Sequence, residues 1–211
     1  MHLSLHGSFH DGAVVSIGVK AGDIQRHRPW QQLHVLRQIA DVTPKPVSIP
    51  VANVSPIDAD RAVAGGLEAL FRQGPWTAQS EAFGVWIDDA NGVNGESFLS
   101  GGYLSLSRFL GAGETRWSRG RGALGPPKIE GAMRPGGGGA QALEAVARLS
   151  YTDLIGGSVQ AGRVLDLETG LNFYVSSTTR LMLHWVGVSA EPPAGPRENG
   201  WAVLGRLQIQ I

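Results

Sequence analysis

Cysteine is absent from the 211 residues, which excludes disulfides and cysteine-bearing zinc sites and fits an oxidising bacterial compartment. Charge is sparse. Asp, Glu, Lys and Arg make up 17% of the chain, where a soluble domain averages about 25%. The 18 basic and 18 acidic side chains cancel, so neither a nucleic acid nor an anionic membrane surface has an electrostatic footprint to meet. No apolar run approaches the ~20 residues a membrane helix requires. The opening MHLSLHGSFH has no basic n-region and no unbroken apolar h-region, so it does not read as a signal peptide. For an exported protein, Met1 is then expected to be an internal start and the chain the C-terminal part of something longer. Neither Gly-x-Ser-x-Gly nor His-Glu-x-x-His occurs, and nothing specific points to an enzyme.

What the chain has is alternation. Nine segments, at about 2–10, 13–21, 63–73, 76–87, 98–110, 141–152, 161–175, 179–190 and 200–211, follow period two. In 161–175, a strand puts Leu165, Leu167, Leu171, Phe173 and Val175 on one face, whereas a helix would scatter them. Asp166, Glu168, Asn172 and Tyr174 then fall on the other. The last strand behaves alike: Trp201, Val203, Leu207 and Ile209 share a parity, and Arg206, Gln208 and Gln210 share the opposite one. An apolar stripe that runs to the chain end is natural where lipid covers one face and water the other. The expected fold is therefore all-β, an antiparallel up-and-down transmembrane β-barrel.

Tight links are expected at Asp11-Gly12, Gln73-Gly74-Pro75 and Ser176-Ser177-Thr178, with longer connections at 22–62, 88–97, 153–160 and 189–199. Counting back from a periplasmic C-terminus puts the tight links in the periplasm and the long ones outside, as in outer-membrane barrels. The 22–62 stretch is then a long extracellular loop region. Residues 111–140 break the rule, being a long Gly/Arg-rich connection on the periplasmic side. Aromatic residues agree with a bilayer. Trp76 and Trp86 share the outward parity of one strand, and ten residues at ~3.3 Å and ~40° tilt separate them by about 25 Å, the height of a barrel's apolar band. Tyr151, Trp185 and Trp201 complete the expected girdle.

Several stretches together resemble the C-terminal half of the phosphate-selective porin O and P family: GLEALFRQGPWTAQSEAF (66–83), GGYLSLSRFLGAGETRW (101–117) with RGALGPPK (121–128), ALEAVARLSYTDL (142–154), TGLNFYVSSTTRLMLHWVGV (169–188) and VLGRLQIQI (203–211). Residues 1–62 match loosely. The family usually reads Phe-Leu-Thr-Gly-Glu where this chain has Phe109-Leu110-Gly111-Ala112-Gly113-Glu114, and Ile211 stands where outer-membrane barrels typically end in Phe. The resemblance implies a barrel of about sixteen strands, with residues 1–211 supplying roughly the last nine. It implies an outer-membrane location, a homotrimer when full length, passive diffusion of small solutes, and phosphate or other small anions as cargo. No cofactor is expected.

Under this register Lys20, Arg72, Arg148, Arg180 and Arg206 face the lumen. Rings of such residues attract anions. Glu68, Glu81, Glu144, Asp166 and Glu168 share that face, so the same cations could equally brace the wall by pairing with carboxylates. Glu68, Glu81 and Glu144 could also be close in space like a glycosidase pair, which spacing alone does not reveal. Arg108 falls on the outward parity, at the periplasmic end where an arginine costs only ~0–1 kcal/mol and can snorkel. His2, His6 and His10 share a strand face with Ser4 and Ser8, so they read as wet wall residues and not as metal ligands. Arg134-Pro135-Gly136-Gly137-Gly138-Gly139 lacks a Gly-Lys-Ser/Thr ending and reads as a linker, not a nucleotide loop. The alternative to the porin is a soluble β-sandwich that binds carbohydrate through tryptophans such as Trp86 and Trp201. It would place Leu181, Leu183, Leu207 and Ile209 in a dry interior between two sheets.

Overall fold

The computed structural model describes residues 2–8, 14–25, 61–88, 90, 95–111, 113–118, 123–129, 142–176 and 178–209. They form eleven strands: β1 (His2–Ser8), β2 (Val14–Gln25), β3 (Arg61–Gln73), β4 (Trp76–Asp88), β5 (Glu96–Phe109), β6 (Gly113–Ser118), β7 (Ala123–Ile129), β8 (Ala142–Gly156), β9 (Val159–Tyr174), β10 (Thr179–Glu191) and β11 (Glu198–Ile209). Nine of them build one antiparallel sheet in the order β1-β2-β3-β4-β5-β8-β9-β10-β11, and β6 pairs with β7 in a separate ribbon. The nine-stranded sheet is a plain meander and does not close, leaving β1 and β11 as its edges. A strand of 13 residues such as β4 tilted ~40° rises roughly 33 Å, enough to cross a ~25 Å apolar band and project beyond it.

Direct cross-strand partners share a face, so parity can be followed from strand to strand. Leu207 opposes Leu181, Leu181 opposes Phe173, and Phe173 opposes Leu143. Farther along, Tyr151 opposes Gly102, Trp86 opposes Phe98, and Val63 opposes Trp86. Every large apolar side chain that is exposed among the described residues lies on this one face. Leu181, Leu183, Leu207 and Ile209 are 47%, 58%, 59% and 62% exposed. They face outward from a single sheet, and among the described residues no second sheet covers them, which argues against the sandwich.

The other face is polar, with small apolar clusters at its two ends. At the long-loop end Ala62, Val85, Ile87, Leu99, Leu154, Val159 and Ala161 pack together. At the tight-turn end Phe109, Ala142 and Tyr174 pack with Ile129 of β7. Among the described residues there is no central core, because a one-layer sheet has no second layer to pack against; what removes its apolar face from water must be the surroundings.

Three connections differ from expectation. The stretch 153–160 is not a long loop: β8 runs to Gly156 and β9 resumes at Val159, joined at Gly157 and Ser158. A register shift between Asp153 and Ile155 interrupts the alternation there and hides the strand ends. Gly157 has φ +56°, and a Cβ on it would come within 2.5 Å of Ser97 Oγ, so the turn needs glycine both for its backbone and for its packing on β5. Second, β2 continues to Gln25 and β3 begins at Arg61, so both intrude into the span read as loop. Third, the 111–140 connection contains the β6–β7 ribbon. Asp11-Gly12, 26–60, His10 and Arg134–Gly139 lie outside the described residues.

Candidate functional site

Cross-strand register puts Arg72, Arg148, Arg180 and Arg206 on the polar face, on four different strands. Lys20 joins that face through its backbone pairing with His2 and Gly66; its side chain lies outside the described residues. Arg148 lies over the Tyr103 ring at 4.0 Å and donates from Nε to Ser150 Oγ at 3.3 Å. Ser150 also hydrogen-bonds Asp166, and Glu168 is the direct cross-strand partner of Arg148. Gln79 Nε2 donates to Tyr103 Oη at 2.8 Å, fixing the ring under the guanidinium. Arg148 is thus held in place by its neighbours on β5, β8 and β9.

The tight-turn half of this face carries a continuous hydrogen-bonded chain across β8, β9, β10 and β11. His184 meets Glu168 Oε1 through Nδ1 (2.5 Å) and Asn172 Oδ1 through Nε2 (2.9 Å). Asn172 Nδ2 donates to Glu144 Oε2 at 2.9 Å, and Tyr174 Oη donates to the same oxygen at 2.8 Å. Arg180 donates to Tyr174 Oη at 3.4 Å and, from Nε and Nη2, to Gln208 Oε1 at 3.1 and 2.9 Å. Glu144, Asn172 and His184 are buried. Buried polar groups of this kind need all their partners, since each one stranded costs about 1–3 kcal/mol. Gly170 makes room for the ring: a Cβ there would collide with His184 Cδ2 and Cγ.

The β6–β7 ribbon lies against the same face. Arg72 Nη2 reaches Glu114 Oε2 at 3.3 Å, and Thr77 Oγ1 donates to Thr115 Oγ1 at 3.0 Å. Ile129, the cross-strand partner of Gly113 beside Glu114, packs on Phe109, Ala142 and Tyr174. One end of the ribbon, where Gly113 pairs with Ile129, therefore rests on the polar face between β3–β4 and β8–β9, at the tight-turn end. Pro126 and Pro127 sit in β7 without conflict, because a two-stranded ribbon has free edges where no N–H is demanded.

Glu68 and Glu81 oppose each other directly on β3 and β4. Glu144 is elsewhere, bonded to Asn172 and Tyr174. The three carboxylates do not converge on one site. Of the residues named from sequence, the basic ones gained partners that sequence reading missed: Tyr103, Ser150, Gln208 and Glu114. Asn172 and Tyr174 carried a usable signal, since both alternate with the leucines of β9.

On the apolar face Trp76, Trp86, Tyr151, Trp185 and Trp201 are all exposed, from 41% to 72%. Trp86 and Phe98 stack tilted with centroids 4.6 Å apart. At the opposite end of β4 the Arg108 guanidinium sits 5.0 Å from the Trp76 ring centroid, close enough for a cation–π contact.

A meander with one lipid-type face edged by aromatics and one hydrogen-bonded polar face is the wall of a transmembrane β-barrel. The class is that of outer-membrane channel proteins. Within it, the chain belongs to the phosphate-selective porin O and P family, whose model matches residues 52–211. The family consists of outer-membrane porins, which are channels and not enzymes. No curated protein matches the chain.

Proposed function

We propose that the chain supplies consecutive wall strands of a passive diffusion channel, with its polar face wet and its apolar face against outer-membrane lipid. Small hydrophilic solutes cross down their gradients, phosphate and other small anions among them, and the full-length protein works as a homotrimer. The observation that supports this best is the segregation of the two faces: exposed leucines and tryptophans on one, arginines, carboxylates and His184 on the other. Arg72, Arg148 and Arg180 already have protein partners, which favours bracing over solute capture as their main role.

The test is conductance of the full-length protein in a planar bilayer. Stepwise, long-lived openings are expected, with phosphate flux into loaded vesicles. Full-length protein that stays soluble in plain buffer and never conducts overturns the proposal. Residues 1–211 alone leave backbone groups of β1 and β11 unpaired, each costing several kcal/mol in hydrocarbon, so this stretch as a monomer is expected not to conduct.

A further inference from the structure

Register followed from strand to strand gathers the charges of the apolar face, such as Asp88, Glu96, Asp153 and Arg163, at the long-loop end. Arg108 is the exception among the described residues. It stands at the tight-turn end, exposed, opposite Trp76 on β4 and Ala145 on β8. Its guanidinium lies 5.0 Å from the Trp76 ring centroid, and no described carboxylate pairs with it. Arg72, Arg163 and Arg197, by contrast, each meet an acid. An indole face offsets part of the positive charge but leaves the in-plane N–H donors of the guanidinium without acceptors.

A bilayer offers one kind of acceptor at that depth. Interfacial tryptophans such as Trp76 sit at the level of the lipid headgroups. Phospholipids present phosphodiester oxygens there, and a guanidinium binds these through two parallel hydrogen bonds. The outward column of β4 above Trp76 is made of small residues, Ala78, Ser80, Ala82 and Gly84. A depression of about 620 Å³ opens along it, with Ala69, Ser80, Ala82 and Gly102 between the taller Leu67 and Leu104. It runs in the direction that an acyl chain takes from a headgroup at Arg108 toward the bilayer centre.

We infer that Arg108 and Trp76 form a binding site for the phosphate of one membrane phospholipid, with an acyl chain lying along β4. The inference rests on the apolar face being lipid-facing and deepens that reading. Charge complementarity favours a lipid over a second copy of the chain. Below the loop rim, the described residues of the same face on another copy carry no acid to bring to Arg108.

The experiment is native mass spectrometry of the full-length protein, released from detergent micelles that contain graded amounts of dioleoyl phosphatidylglycerol. The parent is expected to retain one such lipid per chain. Arg108→Gln is expected to hold it about fivefold more weakly, the scale of one arginine at a charged membrane surface, with Arg108→Lys in between. Dioleoylglycerol has the same chains without the phosphate and is expected not to take the site. Excess inorganic phosphate is expected not to displace the lipid, which separates a headgroup site from a free-anion site. Should Arg108→Gln fail to fold, the parent's preference for the phosphate-bearing lipid over dioleoylglycerol decides alone. Equal retention by parent and Arg108→Gln, equal retention of the two lipids, or displacement by inorganic phosphate overturns the inference. So does an Arg108→Gln protein that loses its oligomeric state while keeping its lipid, since that places the residue between copies. A parent that stays soluble in plain buffer and takes up neither lipid refutes the lipid-facing reading itself, a separate outcome from a micelle-bound parent whose lipids ignore Arg108.

Discussion

The two faces of this one sheet are built on different rules. The apolar face is made by repetition: large side chains recur at every second position, and few of them depend on a particular neighbour. Gly205 on that face has nothing within 4 Å of where a Cβ would be. The polar face is made by particular contacts, in which Glu168, His184, Asn172, Glu144, Tyr174, Arg180 and Gln208 form one chain and removing any member strands another. Lipid is a uniform solvent that accepts any apolar group, whereas a wet wall must satisfy each donor and acceptor individually.

That contrast can be broken most forcefully by a charge on the wrong face. Leu183→Arg, near the middle of β10 and 58% exposed, is expected to cost ~2–4 kcal/mol in urea titrations of folding into lipid vesicles. A cost near zero would mean that this face does not meet hydrocarbon. A sharper comparison uses one substitution on both faces. Gly170→Ala displaces the His184 ring and is expected to cost about 1–3 kcal/mol by the same titration. Gly205→Ala, on the apolar face, is expected to stay within about 0.5 kcal/mol. Equal costs would erase the distinction. Arg108→Ala is likewise expected to cost little, at most about 1 kcal/mol, because this guanidinium sits at the membrane edge against Trp76.

Parity was legible in the sequence because each strand of a one-layer sheet meets lipid on one side and water on the other, so period two is never confused by packing. The alternation of Leu165, Leu167, Leu171 and Phe173 against Asp166, Glu168, Asn172 and Tyr174 gives both faces of β9 at once. Partners were not legible. Arg180 finds Gln208, and Arg72 finds Glu114, through register and chain reversal across 28 and 42 residues. The β6–β7 ribbon escaped for a different reason. GETRWS and ALGPPKI have neither an apolar alternation nor a long run, since a ribbon with a bulge after Glu114 and two prolines needs little of either. The β8–β9 turn was lengthened in the sequence reading because its bulge breaks the period three residues before Gly157.

The most direct measurement of the two-faced wall exploits the lack of cysteine in these 211 residues. Single spin labels placed at Met182, Leu183, Arg206 and Leu207 of the full-length protein in lipid vesicles would be read for collisions with oxygen and with a water-soluble nickel complex. Labels at Leu183 and Leu207 are expected to favour oxygen, and those at Met182 and Arg206 to favour nickel, switching with every residue. Labels shielded from both reagents at Leu183 and Leu207, or no alternation at all, would contradict a sheet that stands between hydrocarbon and water.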